Sequence, residues 1–200
     1  SSDLLALTFV LLAGGEIEAT REWLKADMAE KGGITGGTAT TPFALYGLVQ
    51  AGLPEEAARF LTRTEFPSIG YMIASGATAV WERWDGILNG EYHPHPMNAF
   101  NHIGLATVGA FMVSSLAGIA PMAPGFEKIL LQPIVSREIG GVRAVYTSVR
   151  GDIEAAWRVE GDELTYRCRI PAPALLRLPG FERALPPGEH EFRLRFPQNQ

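Results

Sequence analysis

The spacing of hydrophobic residues changes near residue 120 of this 200-residue chain. In the first part, apolar residues recur every three or four positions, a spacing that indicates amphipathic helices. After Pro124 they alternate with polar residues, which indicates strands with one buried face. The change of period predicts a helical domain over residues 1–120 and a β domain over residues 121–200.

The predicted helices follow one another with short loops between them. They cover Leu4–Ala13, Glu16–Lys31, Pro42–Ala51, Leu53–Thr62, Ala74–Trp84 and Asn101–Leu116. Thr41 is expected to cap the third of these helices, because a threonine hydroxyl can accept a free backbone N–H and Pro42 suits the first helical position. The segment Leu4–Ala13 follows Asp3 and lacks the basic start of a signal peptide, so it is interpreted as a core helix.

The β part contains short alternating segments separated by turn residues. Strands are predicted at Lys128–Pro133, Arg143–Ser148, Asp152–Val159, Glu163–Ile170 and His190–Phe196. Glu160-Gly161-Asp162 has the composition of a hairpin turn, and Leu178-Pro179-Gly180 and Pro186-Pro187-Gly188 mark two more turns. Strands of this length and spacing are typical of a small antiparallel sandwich.

Composition and charge narrow the possible partners. Hydrophobic residues make up 46% of the chain and charged residues 20%, as in ordinary globular proteins. No apolar run approaches the roughly 20 residues of a membrane span, so no membrane partner is expected. The net charge of −5 and the absence of clustered Lys and Arg argue against nucleic acid. The single Cys168 excludes an internal disulfide and a zinc site of several cysteines, and leaves the cellular compartment open.

The densest group of reactive and aromatic side chains lies between Gly76 and Gly86. Glu82 is flanked there by Trp81 and Arg83, and Trp84 and Asp85 follow. Carboxylates beside flat aromatic rings suit a sugar site, because the rings can cover apolar C–H surfaces. Residue types alone fit a helix end with a local ion pair equally well.

A second group, Glu91-Tyr92-His93-Pro94-His95-Pro96, raises the possibility of a metal site. Two imidazoles in a His-x-His segment can lie on one side of an extended strand. The segment contains no further ligand at an informative spacing, so a proline-stiffened loop is the favoured interpretation. Neither a metal nor another cofactor is expected.

Several motifs together resemble the bacterial α-L-rhamnosidases of glycoside hydrolase family 78. The most specific is Gly-Ala-Thr-x-x-Trp-Glu-Arg-Trp-Asp-Gly from Gly76 to Gly86. Gly37 with Thr41-Pro42 is similar to the family's Gly-x-x-Gly-Thr-Pro loop, and Pro67-Ser68-x-Gly70-Tyr71 to its Pro-Ser-Trp-Gly-Tyr. Asn101-His102 stands where the family has Asn-His. The resemblance covers essentially the whole chain.

The resemblance implies an inverting glycosidase that removes terminal α-L-rhamnose from rhamnose-containing glycosides or oligosaccharides. By its place in the motif, Glu82 corresponds to the general base that deprotonates the attacking water. His102 corresponds to an active-site histidine that hydrogen-bonds a sugar hydroxyl or the water. Thr78 and Asn101 lie in the same segments and are expected to support these groups.

Trp81 and Trp84 are candidate sugar contacts under the same resemblance. At helical spacing, however, an indole more often packs in a core, and the core interpretation is favoured for both. A lone histidine on a helix would likewise be a satisfied core residue without the motif. The functional alternative to the hydrolase is a non-catalytic carbohydrate-binding or accessory fragment.

The resemblance also implies an (α/α)6 barrel, of which this chain is expected to form the C-terminal half. Six helical hairpins need roughly 200–300 residues at typical helix and loop lengths. The family's general acid belongs to an acidic segment in the first half of the barrel, and Asp3, Glu16 and Glu18 do not form that pattern. The chain is therefore expected to be part of a longer enzyme, with the missing N-terminal part as its partner.

Overall fold

The computed structural model describes residues 17–34, 36–37 and 40–196. It divides between Phe111 and Met112 into a helical unit and a sheet-rich unit. The predicted order, helices first and strands second, is therefore confirmed. The predicted helix Leu4–Ala13 lies outside the described residues.

Six α-helices lie in the described part of the first unit. They are α1 Ile17–Lys31, α2 Thr41–Gln50, α3 Pro54–Thr62, α4 Ile69–Ala74, α5 Ile103–Ala106 and α6 Val108–Phe111. Each of the first three helices packs against the next, and α2 also packs against α6. Their apolar faces bury Leu24, Leu45, Leu48, Phe60, Met72 and Phe111. None of the helices in the described part of the chain is long and apolar enough to cross a bilayer.

The start of α2 differs from the prediction by one residue. Thr41 is the first helical residue and not the cap, and the side chain of Thr40 before it accepts no capping hydrogen bond. The Thr41 hydroxyl lies 3.0 Å from the carbonyl oxygen of Gly36 and 3.1 Å from that of Gly37. The side chain therefore ties the start of the helix back to the preceding turn.

The predicted helix Ala74–Trp84 is wrong. Helix α4 occupies Ile69–Ala74, and the Ser68 hydroxyl caps it by accepting the N–H of Tyr71 at 2.9 Å. The helix ends because Gly76 adopts a φ of +87°, while the next amide, that of Ala77, donates to the carbonyl of Met72 at 2.9 Å. This is a Schellman-type end that favours glycine.

The helical spacing of Trp81 and Trp84 does not come from a helix. Trp81 and Trp84 are both buried, but an irregular loop places them there, and the loop then enters a two-stranded hairpin. The hairpin pairs β1 Ile87–Leu88 with β2 Glu91–Tyr92. The predicted long helix Asn101–Leu116 is likewise divided into α5, α6 and a π-helix, Met112–Leu116.

Two four-stranded sheets form the second unit. Its strands are β3 Ile119–Pro121, β4 Ile129–Leu131, β5 Gly141–Ser148, β6 Gly151–Glu160, β7 Glu163–Ile170, β8 Ala174–Leu178, β9 Phe181–Leu185 and β10 Gly188–Arg195. A 3₁₀ turn at Pro124–Phe126 joins β3 to β4. The sheet orders are β10-β7-β6-β5 and β3-β4-β8-β9. All five predicted strands are present, whereas β3, β8 and β9 were not predicted.

The prediction of a purely antiparallel β domain is wrong at one pair, because β4 and β8 run parallel. The chain leaves the second sheet after β4, builds β5, β6 and β7 in the first sheet, and returns in the same direction as it left. The other pairs are antiparallel, including the β6–β7 hairpin that turns at Gly161.

Buried side chains of both sheets belong to one hydrophobic cluster. Strand β7 shows the expected alternation, with Leu164, Tyr166, Cys168 and Ile170 buried and the intervening residues more exposed. Trp157 of β6 joins the cluster and donates its indole N–H to the carbonyl of Leu116 at 2.7 Å. The period of two along these strands therefore reflects a shared core.

Candidate active site

The loop that carries Glu82 runs beside the segment 99–102. The N–H of Glu82 donates to the carbonyl of Ala99 at 2.8 Å, and the N–H of His102 donates to the carbonyl of Val80 at 2.8 Å. These two bonds hold the segments antiparallel. They bring the backbone positions of Glu82 and His102, twenty residues apart in the chain, into neighbouring segments.

The Glu82 carboxylate is partly buried and has a fixed orientation. Its Oε2 accepts the N–H of Ala99 at 3.0 Å, so Glu82 and Ala99 are joined by two hydrogen bonds of opposite direction. No hydrogen bond reaches Oε1 from the part of the chain that the structure describes. One carboxylate oxygen is held and the other is available to accept a proton.

A pocket of about 240 Å³ opens beside this carboxylate. It is lined by Gly37, Phe66, Pro67, Glu82, Arg83, Trp84 and Asp85. The Phe66 ring is 41% exposed and meets the ring of Tyr71 edge-on at 5.6 Å, while the Tyr71 hydroxyl donates to the carbonyl of Ile87 at 2.8 Å. The partly exposed Phe66 and Glu82 thus line one cavity.

An ion pair lies next to Glu82 in the same pocket. Arg83 donates through Nε and Nη2 to the two carboxylate oxygens of Asp85, at 2.8 and 3.0 Å. The hydrogen bond from Arg83 holds the pKa of Asp85 below its ordinary value, and it raises the pKa of Arg83 in return. The local ion pair that the residue types suggested is therefore present. It joins Arg83 and Asp85 and does not include Glu82.

Both candidate tryptophans are held by packing. Trp81 is 2% exposed and meets Phe100 edge-on at 5.4 Å. Trp84 is 6% exposed, meets Phe60 edge-on at 5.2 Å, and donates its indole N–H to the carbonyl of Gly36 at 2.6 Å. These contacts agree with the core interpretation, although Trp84 also lines the pocket.

His102 caps α5 with its ring. Its Nδ1 accepts the N–H of Gly104 at 3.0 Å, so a neutral ring carries its proton on Nε2. His102, Asn101 and Thr78 are not among the residues that line the pocket, and the last two are exposed. Their predicted roles stay predictions.

His93 and His95 of the Pro-rich segment accept hydrogen bonds from nearby backbone amides. Nδ1 of His93 accepts the N–H of His95 at 3.1 Å, and Nδ1 of His95 accepts the N–H of Met97 at 3.0 Å. Nε2 of His93 lies 3.5 Å from Oδ2 of Asp85. Among the described residues, no group of three or more His, Cys, Asp or Glu side chains is placed to hold a metal ion.

Two parts of this site, Phe66 and Ala99, were not predicted from the sequence. Phe66 precedes the Pro-Ser segment and carried no signal beyond being aromatic, and only the fold places it in the pocket beside Glu82. Ala99 contributes backbone atoms alone. Its side chain gives no indication of that role.

Two family models together match nearly the whole chain. A family model described as the bacterial alpha-L-rhamnosidase 6 hairpin glycosidase domain matches residues 1–116, and one described as the bacterial alpha-L-rhamnosidase C-terminal domain matches residues 118–193. An alpha-L-rhamnosidase of Streptomyces avermitilis is 34% identical over 139 residues, and one of Alteromonas sp. is 29% identical over 174 residues. The matches cover 69% and 84% of this chain but only 14% and 18% of those relatives.

Solved structures show the same likeness. The Streptomyces avermitilis alpha-L-rhamnosidase complexed with L-rhamnose matches with a TM-score of 0.87 and 26% identity, over 96% of this chain and 21% of that one. The Aspergillus terreus enzyme matches in fold, with a TM-score of 0.89 and 23% identity over 96% of this chain and 24% of that one. The first family model spans more than half of the 200 residues. The chain therefore belongs to the bacterial α-L-rhamnosidase six-hairpin glycosidase family.

Proposed function

We propose that this chain is the C-terminal part of a longer α-L-rhamnosidase that hydrolyses terminal α-L-rhamnosides with inversion, and that Glu82 is its general base. The observation that carries the proposal is the Glu82 carboxylate, which is fixed by Ala99 and borders a pocket with an exposed aromatic ring. Family membership supports the substrate class, since the related Streptomyces avermitilis enzyme forms a complex with L-rhamnose.

In an inverting reaction, one carboxylate deprotonates a water while a carboxylic acid protonates the leaving group from the other side. Glu82 suits the first role because the hydrogen bond from Ala99 fixes Oε2 and leaves Oε1 for the water's proton. We place the general acid in a segment of the longer enzyme outside this chain. The small share of the curated relatives that the chain spans, 14% and 18%, supports that placement.

The helical unit would then be part of the (α/α)6 barrel that the six-hairpin family name describes. Within it, the Nε2–H of His102 is a donor for a sugar hydroxyl or for the water. The exposed Phe66 ring offers an apolar face to the C–H side of a sugar ring or to the aglycone. Trp81 and Trp84 support the loop from the core, and no cofactor enters the reaction.

The test is Glu82→Gln in the full-length enzyme, assayed on an aryl α-L-rhamnoside. The amide keeps the volume of the side chain but cannot take a proton, so kcat should fall by about 10²–10⁴-fold. L-rhamnose affinity, measured by calorimetry, should be retained. The matched control is Glu91→Gln, an exposed glutamate on β2 that should leave kcat unchanged.

Two results would count against the proposal. Near-normal hydrolysis by Glu82→Gln would remove Glu82 as the base. Binding of L-rhamnose by the wild-type full-length protein without any hydrolysis would favour a carbohydrate-binding accessory protein instead.

A further inference from the structure

Asn98 links the two segments that meet at Glu82. Its Nδ2 donates to the carbonyl oxygens of Gly86 and of His93, both at 3.1 Å. Gly86 lies four residues after Glu82, at the end of the motif loop. His93 follows the β-hairpin, and Ala99 is the next residue after Asn98. One side chain therefore fixes the spacing between the motif loop and the segment that contacts Glu82.

The region around Asn98 is closely packed. The carbonyl of Gly86 also accepts the N–H of His93 at 2.9 Å, so Asn98 and His93 share one acceptor. A Cβ at Gly86 would lie 3.0 Å from Oδ1 of Asn98 and 3.2 Å from Cε3 of Trp81. Even an alanine at position 86 would therefore require its neighbours to shift by a few tenths of an ångström.

We propose that Asn98 is a positioning residue for the reaction, which orients the Glu82 carboxylate through the backbone of Ala99. The inference rests on the proposed role of Glu82 as general base. Asn98 does not touch the carboxylate. It ties Gly86, at the end of the motif loop, to the segment that leads into Ala99. Ala99 in turn donates to Oε2 of Glu82 and accepts the Glu82 N–H.

The orientation of a base matters more to the reaction than to binding. Displacement of a catalytic group by about 1 Å can cost about 10²-fold in rate. A sugar in the ground state does not need the base in line with the water, so KM should change little while kcat falls. Asn98→Asp would place an oxygen where Nδ2 lies, facing two carbonyl oxygens at 3.1 Å, and the repulsion should displace the segment.

The experiment measures kcat and KM of Asn98→Ala and Asn98→Asp in the full-length enzyme with an activated aryl α-L-rhamnoside. Rates are normalised to the fraction of protein that binds L-rhamnose, so that unfolded protein does not enter kcat. Both variants should lose about 10–100-fold in kcat with KM near the wild-type value. The control is Met97→Ala, whose side chain is 62% exposed in the same segment and should leave kcat unchanged.

A double-mutant cycle separates positioning from a general structural effect. If Asn98 acts through Glu82, Asn98→Ala should cost nothing further in a Glu82→Gln background. An equal loss in both backgrounds, or a wild-type kcat in Asn98→Ala, would overturn the inference and leave the role of Glu82 intact. Wild-type turnover by Glu82→Gln alone would instead overturn the proposed function.

Discussion

The charges next to Glu82 determine what this carboxylate is free to do. Arg83 lies beside Glu82 in the chain and would be its obvious ion-pair partner. Instead, Nε and Nη2 of Arg83 are bonded to the two oxygens of Asp85. Within the described part of the chain, no cation forms an ion pair with Glu82. The pairing of its neighbours therefore leaves Glu82 with a backbone hydrogen bond and a free oxygen, as a base requires.

The Arg83–Asp85 pair should make stability depend on pH. The pKa of Asp85 is lowered in the folded state, chiefly by its hydrogen bond from Arg83, so the pair stabilises the fold above the ordinary carboxyl range. That contribution is lost as the pH falls through the lowered pKa. Asp85→Asn should therefore reduce the free energy of unfolding at neutral pH, by about 0.5–1 kcal/mol for a partly exposed pair.

Calorimetric Tm values of wild type and Asp85→Asn, compared at neutral and strongly acidic pH, check this expectation. The difference in Tm should be present at neutral pH and should close on acidification. Glu65→Gln is the control, because Oε2 of Glu65 lies 3.8 Å from Nε of Arg63 and its side chain is 73% exposed. A difference that is the same at both pH values would contradict the proposed electrostatic origin.

At the level of secondary structure, the strands were easier to predict than the loop that carries the site. Strand β7 buries every second residue against a shared core, and its predicted bounds, Glu163–Ile170, match the structure. Residues 77–84 were predicted as part of the helix Ala74–Trp84, within which Trp81 and Trp84 recur at helical spacing. The structure shows that packing against Phe60 and Phe100 places these indoles, without helical backbone.

The candidate site was likewise predicted only where a residue pattern marks it. Glu82 could be selected from residue types and a motif, because a carboxylate between aromatic residues is visible in the sequence. The contributions of Ala99 and Asn98 depend on backbone hydrogen bonds across a loop. No pattern of residue types specifies such bonds, so they could not be predicted.

Strand β7 also carries a buried polar group whose removal should not destabilise the protein. Tyr166 is fully buried, burial raises its pKa, and its hydroxyl has no hydrogen-bond partner among the described residues. An unpaired buried hydroxyl costs about 1–3 kcal/mol. Tyr166→Phe should therefore raise the free energy of unfolding by about 1 kcal/mol.

Urea unfolding of the sheet-rich unit, followed within the full-length protein, measures this change. Tyr146→Phe on β5 is the matched control, because its ring is 39% exposed and its hydroxyl can be solvated. That control should leave the unfolding midpoint unchanged. A lower midpoint for Tyr166→Phe would mean that the hydroxyl makes a favourable interaction.

At the scale of the whole molecule, the proposed function gives this chain one half of a catalytic pair. The helical unit supplies a carboxylate that is oriented by backbone and borders a pocket with an exposed ring. An inverting glycosidase needs a second carboxyl group about 6.5–9.5 Å away, with a water between base and sugar. In the proposed reaction, Glu82 activates that water.

Azide rescue of Glu82→Ala in the full-length enzyme is the sharpest test of this role of Glu82. Azide is a nucleophile that needs no base, so it should restore turnover of an activated aryl α-L-rhamnoside when Glu82 is missing. Proton NMR should identify the product as the β-L-rhamnosyl azide, with configuration opposite to the substrate. Undiminished hydrolysis by Glu82→Ala without azide, or an α-configured azide product, would contradict the account.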